Sequence, residues 1–348
     1  MMKSISRFGV ALFSMTLLLN LQLLAQQSAK PDAQMKAVLD ELAALGGKPI
    51  EELSPEEARK QPSPADAVLQ VLRKQGRNGP EAVGDVDNAS VTLGDHKIPI
   101  RIYTPKGKGP FPVILYIHGG GWVIADLNSY DASPRALCNA ANAMVISTHY
   151  RQAPEARFPA AHDDVWGVYQ WVVKNEGKRN YDSKKLAIVG ESAGGNMAAA
   201  VSMMAKEHSV QMPLYQVLVY PVADLSKRDT PSYQENAGAR PLSKAMMAWF
   251  GMHTLAKPED ARNPHLSLLL AGDALKAMPP TTIILAQIDP LRSEGERLAE
   301  LLQQAGVKVS LRKYDGVTHE FFGMGAVVDK AREAIQIAAN DIKAAFGN

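Results

Sequence analysis

The chain has 348 residues, 46% of them hydrophobic and 21% charged, with 26 glycines, 22 prolines and one cysteine. That balance is globular, and the length allows about two domains or one large α/β domain with an accessory piece; a disordered tail protein, a collagen and a multi-span membrane protein are excluded. The 38 basic and 36 acidic residues nearly cancel with no basic run, which argues against a nucleic-acid partner, and a lone Cys138 leaves neither a disulfide framework nor a cysteine-based zinc site.

Residues 1–25 read as a secretory signal peptide. Lys3 and Arg7 precede an apolar stretch from Val10 to Leu24, Ala25 ends it, and polar Gln26-Gln27-Ser28 follows. Asn20 and Gln22 interrupt the stretch, leaving it short of the roughly 20 apolar residues that a membrane span needs. No cysteine follows it to carry a lipid. Cleavage after Ala25 removes two bases and no acids, leaving 36 of each sign. The expectation is an exported protein, periplasmic or secreted, with no stable membrane anchor after cleavage. A cysteine that cannot pair within its own chain fits an oxidising compartment.

Helices come next. Met35, Val38, Leu39, Leu42 and Leu45 recur at helical spacing and predict a helix that ends at Gly46-Gly47. Ser54-Pro55-Glu56-Glu57 is a capping box with proline at the first helical position, so a second helix starts there. A third follows Ser63-Pro64 and runs to about Gln75. Ile98, Ile100 and Ile102 then alternate with Pro99 and Arg101, and the internal proline predicts an edge strand.

Short, almost wholly apolar runs follow at 113–117, 144–146, 186–189, 216–219 and 282–285, with a more mixed candidate at 307–314. Such runs suit strands covered on both faces, as in a parallel sheet. Helical patterns at 158–174, 193–206 and 293–305 separate them, so residues 81–348 predict a doubly wound α/β sheet. The stretch from Pro221 to Pro280 is too long for one crossover and holds a capped helix from Ser243 onward with Met246, Met247, Trp249 and Phe250. It is expected to be an insertion, around 222–280, that packs with the N-terminal helices of 26–80 as a cap over the C-terminal edge of the sheet.

The chemistry falls where strands end. Gly190-Glu191-Ser192-Ala193-Gly194 sits between a predicted strand and a predicted helix, the context that makes G-x-S-x-G a nucleophile elbow. Small residues are needed two places either side of the serine, and the helix N-terminus favours negative charge developing there. No lysine completes a phosphate loop at Gly194-Gly195-Asn196. His118-Gly119-Gly120-Gly121-Trp122 ends an earlier strand, and such a glycine run lets backbone N–H groups point at an oxyanion. A serine hydroxyl needs a base, and the base an orienting carboxylate. In Ser…Asp…His order these are Asp289, just after a predicted strand, and His319, just after the last. His118 is then a loop organiser, together with Gly119. His149, His162, His208 and His253 read as surface or structural, and Asp163, Asp164 and Glu191 are poorly placed to orient the base.

The five segments 118–122, 150–155 (Tyr150-Arg151-Gln152-Ala153-Pro154-Glu155), 190–195, 289–295 and His319 follow one another in an order that resembles the hormone-sensitive-lipase family of bacterial esterases. The resemblance runs from about residue 35 to the C-terminus. It implies an α/β-hydrolase fold with a helical cap and carboxylesterase activity on short- to medium-chain acyl esters, without metal or organic cofactor. It also implies Ser192 as nucleophile, His319 as base, Asp289 as its orienter, and Gly120, Gly121 and Ala193 as oxyanion-hole donors. Three positions depart from the pattern: Glu191, where aspartate or threonine is commoner; Ser293, where a second acid is; and Glu320, where glycine commonly follows the histidine. The partner expected is a small-molecule ester, and a homodimer through the last strand and helix is possible. An amidase or peptidase with the same triad stays open, as do a true lipase and a non-catalytic ligand-binding relative.

Overall fold

The computed structural model describes residues 29–175 and 179–347; the expected signal peptide lies outside them. The strands are β1 (Asp85–Leu93), β2 (His96–Thr104), β3 (Phe111–Ile117), β4 (Met144–Thr148), β5 (Tyr181–Glu191), β6 (Tyr215–Val219), β7 (Thr281–Ile288) and β8 (Val309–Thr318). The α-helices are α1 (Ala33–Ala44), α2 (Pro55–Ala58), α3 (Pro64–Lys74), α4 (Ala132–Ala141), α5 (Ala160–Lys174), α6 (Ala193–Glu207), α7 (Pro231–Glu235), α8 (Lys244–Thr254), α9 (Arg292–Gln304) and α10 (Asp329–Ala345).

Local chemistry sets the N-terminal helices. Ser54 Oγ accepts from Glu57 N at 3.3 Å while the Glu57 carboxylate accepts from Ser54 N at 3.1 Å, so two otherwise orphaned donors at the start of α2 are satisfied reciprocally. Ser63 and Asp66 repeat the device on α3. Asp32 caps α1 by accepting from Met35 N.

All eight strands form one sheet in the order β1-β2-β4-β3-β5-β6-β7-β8. The β1–β2 and β2–β4 pairs are antiparallel, and from β4 through β8 every neighbour is parallel. The strand that leads to Ser192, β5, is therefore central, flanked by β3 and β6. Strand side chains alternate between two cores: Val113, Leu115 and Ile117 face one, with α5, α6 and α9; Ile114 and Tyr116 face the other, with α4 and α10. Both faces are covered, which is why these strands read as unbroken apolar runs.

Two expectations need correction. The Ile98–Ile102 strand is not at the edge. β2 pairs with β1 on one side and β4 on the other, and Pro99 lies inside the β1 ladder opposite Ser90. The β2–β4 ladder begins at Ile100, and the Pro99 carbonyl still accepts from His149 N at 2.9 Å, so only the missing N–H is forfeited. The true edge strand is β1, which is mostly exposed and polar and so offers little apolar alternation. Second, the N-terminal helices do not act as one layer with the insertion. The turn at Ile50–Glu52 meets α8, where Trp249 Nε1 donates to Leu53 O at 3.1 Å. Helices α1 and α3 instead join the core of α4 and α10, where α1 abuts β8 and α3 the turn after His319.

Candidate active site

Ser192 sits where β5 turns into α6, with φ 57° and ψ −119°. A non-glycine residue there is strained by roughly 1–3 kcal/mol and persists only where its surroundings over-determine it. They do. A Cβ on Gly190 would collide with the Gly194 carbonyl, and one on Gly194 with the Ile117 carbonyl at the end of β3. Ser192 N donates to Val219 O at 2.9 Å, and Ser192 O accepts from Asn196 N and Val222 N. The hydroxyl is thereby raised above the C-terminal edge of the sheet at the start of a helix that is buried from Ala193 to Ala205.

The loop after β3 passes directly beside it. A Cβ on Gly119 would lie 3.1 Å from Ser192 Cβ and 2.3 Å from Tyr130 Oη, so a side chain there would have to displace that hydroxyl. Among the described residues the amides of Gly120 and Gly121 donate to no other group. Ala193 is the first residue of α6, where the N–H has no partner inside the helix. The loop's geometry is held from behind. Tyr150 Oη donates to Gly119 O at 2.8 Å, Gln152 Nε2 to Ile124 O at 2.7 Å, and Arg59 Nε to Val123 O at 2.8 Å. Arg59 also clamps Glu155, whose carboxyl it holds down at about 2.

His319 and Asp289 arrive from the loops after β8 and β7. His319 Nε2 is 2.9 Å from Ser192 Oγ, and His319 Nδ1 is 2.6 Å from Asp289 Oδ2. An ionised carboxylate can only accept, so Nδ1 carries the proton and Nε2 is left to accept from the serine. Asp289 is itself fixed by Leu291 N donating to Oδ1 at 2.8 Å and Asn236 donating to its backbone carbonyl. Burial pushes the His319 pKa down, but Asp289 and then Glu320 and Glu191 outweigh it, and the net shift is upward.

His118 is placed differently. Its Nδ1 is 2.9 Å from Gly119 O and so donates, which leaves Nε2 to accept from His149 Nδ1 at 3.1 Å. Burial and then His149 push its pKa down to about 3. Both ring nitrogens are occupied, one by the loop and one by His149, and neither bonds to Ser192. A groove of about 560 Å³ lined by Arg59, His149 and Arg151 lies on that outer side; neither Ser192 nor His319 is among its lining residues. Asp164 is taken by Arg151 and His96, and His162 by Asn196.

The three departures each have a partner. Glu191 is buried beneath the elbow and accepts from Tyr116 Oη at 2.5 Å and from Tyr220 Oη; burial and then the Glu320 charge raise its pKa to about 7. The Tyr220 ring lies 4.4 Å from that of His319. Ser293 accepts from Ser232 N and donates from its own backbone N–H to Ser232 Oγ. Glu320 accepts from Tyr130 Oη at 2.5 Å and comes within 3.9 Å of His319 Nε2. Sequence reasoning did not find Tyr130 and Tyr220 and gave Tyr150 no role beyond its place in the 150–155 segment, because a tyrosine whose hydroxyl turns inward looks like any core aromatic.

The sequence profile of the alpha/beta hydrolase fold family matches residues 114–323. The chain belongs to this family, with the esterases of the hormone-sensitive-lipase group. It is 34% identical over 315 residues to the ethyl acetate hydrolase of Pseudomonas putida, covering 88% of this chain and 96% of that protein. It is 38% identical over 278 residues to the carboxylesterase NlhH of Mycobacterium tuberculosis, covering 77% and 85%. Among solved structures, the Pyrobaculum calidifontis esterase superposes with a TM-score of 0.79 at 34% identity, over 87% of this chain and 97% of that one. A thermostable esterase from Pseudomonas putida superposes at 0.83 with 30% identity, over 92% and 99%. This esterase is thus a carboxylic ester hydrolase of the α/β-hydrolase fold.

Proposed function

We propose that this esterase is a serine carboxylesterase of short- to medium-chain acyl esters, working through an acyl-enzyme. The observation that carries the reading is the buried hydrogen-bond chain Asp289–His319–Ser192 at the start of α6. His319 Nε2 takes the Ser192 proton as Oγ attacks the ester carbonyl, and the resulting imidazolium is stabilised by Asp289. The oxyanion is held by the amides of Gly120, Gly121 and Ala193, donors that need no reorganisation as charge develops. His319 then gives its proton to the alcohol oxygen, the alcohol leaves, and water repeats the sequence on the acyl-enzyme.

The chain-length assignment has two supports. The Phe250 ring lies so close to Gly121 that a Cβ there would collide with it, which puts an aromatic wall beside the oxyanion loop. One relative is named for the hydrolysis of ethyl acetate. The test uses p-nitrophenyl esters from acetyl to palmitoyl with one anilide alongside. Turnover should peak on short chains and fall by about 10⁶-fold in Ser192→Ala, the order seen when a triad serine is removed. Retained activity in that variant, or a maximum on palmitate, refutes the corresponding part of the reading.

Export belongs to the same proposal, supported by Lys3, Arg7 and the apolar stretch that ends at Ala25. Protein recovered outside the cytoplasm should begin at Gln26, and a retained Met1 refutes cleavage. β8 ends the sheet order, so we place a homodimer there; a monomeric mass by sedimentation overturns that part.

A further inference from the structure

Glu191, Asp289 and Glu320 surround His319, and of these three Glu320 alone meets solvent. Its side chain is 20% exposed, against 3% for His319 and none for Asp289. Of the acids around the imidazole, Glu320 is thus the one placed between it and the surface. Its Oε1 lies 3.9 Å from His319 Nε2, the nitrogen that also faces Ser192 Oγ. The same oxygen accepts from Tyr130 Oη, and that hydroxyl packs so tightly on Gly119 that a Cβ there would collide with it. The carboxylate is thus clamped between the oxyanion loop and the base, on a residue with φ 69° where glycine commonly stands. Among the described residues no lysine or arginine pairs with Glu320, and the one opposing charge beside it is that of His319 when protonated.

The chemistry of the reaction says what meets that carboxylate. With the acyl carbon at Ser192 Oγ, the carbonyl oxygen turns to the loop amides and the alcohol oxygen turns to Nε2, which must protonate it. The substituent on the alcohol oxygen then leaves past the group nearest Nε2. We propose that Glu320 makes the leaving-group side of this site selective for esters whose alcohol carries a positive charge, such as amino alcohols and quaternary ammonium alcohols. This rests on the serine-esterase reading above. Burial raises the Glu320 pKa, and an arriving cation offsets that burial, so ionisation and cation binding favour one another.

The experiment compares acetylcholine with its uncharged isostere 3,3-dimethylbutyl acetate, using the full chain and Glu320→Gln. Glutamine keeps the side-chain length and an acceptor for Tyr130. The wild-type chain should prefer acetylcholine by about tenfold in kcat/KM, about 1.4 kcal/mol of differential binding. In Glu320→Gln the ratio should fall to within about twofold. The ratio cancels any change in the power of the triad, which a purely structural role would alter for both esters together. Glu320→Gly, which relieves the backbone, gives a second reading of the same ratio if glutamine impairs folding. Equal rates on the two esters in the wild type, or one ratio in wild type and variants, overturn the assignment. p-Nitrophenyl acetate separates the two levels: no turnover of it refutes the esterase mechanism, whereas turnover with no charge preference refutes the Glu320 role alone.

Discussion

The turn that carries Ser192 is built from residues without side chains, while the turn that carries His319 is built from side chains bonding to one another. At the first, Gly190 and Gly194 let backbone approach backbone, and a single methyl at either would strike a carbonyl that cannot move aside. At the second, Asp289, Glu320, Tyr130 and Tyr220 surround the imidazole with charges and dipoles. Sterics at closest contact are nearly all-or-none, whereas electrostatic effects are graded by distance and exposure. The two halves of the site should therefore fail differently when altered, the first through folding and the second through chemistry.

The largest effect is expected at the elbow. Gly194→Ala places a Cβ against the Ile117 carbonyl and 2.6 Å from that of His118. Both belong to the end of the central strand β3 and its loop, so relief requires moving the sheet or α6. A loss of more than about 4 kcal/mol in urea unfolding, or no soluble protein, is expected. Wild-type stability would show that the turn has slack and would remove the steric account of Ser192.

Asp289→Asn should do the opposite: fold, and not turn over. Asparagine keeps an acceptor for Leu291 N, but its NH₂ faces His319 Nδ1 and forces the proton onto Nε2, where it cannot accept from Ser192. A drop in kcat of about 10⁴-fold with the far-UV spectrum retained is expected. A drop below tenfold would mean that His319 is oriented by something other than this carboxylate.

Glu320→Gln is a smaller and pH-dependent change. Under the proposed mechanism His319 works only when neutral, so activity should fall as pH drops through its pKa. Glu320 is one of three acids, with Asp289 and Glu191, that raise that pKa against burial. Removing its charge lowers the pKa, and the acid limb of kcat/KM should move to lower pH, so the variant keeps more of its maximum in acid than the wild type does. A shift toward higher pH, or none, would show that Glu320 acts on the substrate without acting on the base.

The same contrast explains what could be read before the structure. That Ser192, Asp289 and His319 would meet beside the glycine run was legible because the proposed chemistry demands particular residue types at fixed spacing. The strands from β3 to β7 were legible because both their faces are buried. β1 was not, since one face of an antiparallel edge is wet and its sequence alternates weakly. Helix α10 also escaped: its buried face is largely alanine (Ala331, Ala334, Ala338, Ala339), which packs closely yet gives little apolar period. Tyr130, Tyr150 and Tyr220 act through hydroxyls whose direction only the fold decides. Pro99 misled because proline argues for an edge only when its missing N–H would have been used.

The smallest effect tests how far the graded behaviour extends from His319. Lys330 Nζ, on α10, reaches Asp32 Oδ2 at 2.8 Å and Asp315 O at 2.7 Å, while Asp32 N donates to Gly316 O. These contacts tie the start of α1 to β8 three residues before the base. The ion pair is a third exposed, where such pairs contribute about 0–1 kcal/mol. Lys330→Ala should therefore lower stability in urea by no more than about 1 kcal/mol and leave kcat/KM within about twofold. Thr318 and His319 are buried, held by Met35 Sδ and Asp289 rather than by the surface pair. A tenfold fall in kcat would mean that the N-terminal helix positions the base through exposed contacts, and the separation between a rigid nucleophile and a side-chain-built base would then have to include α1.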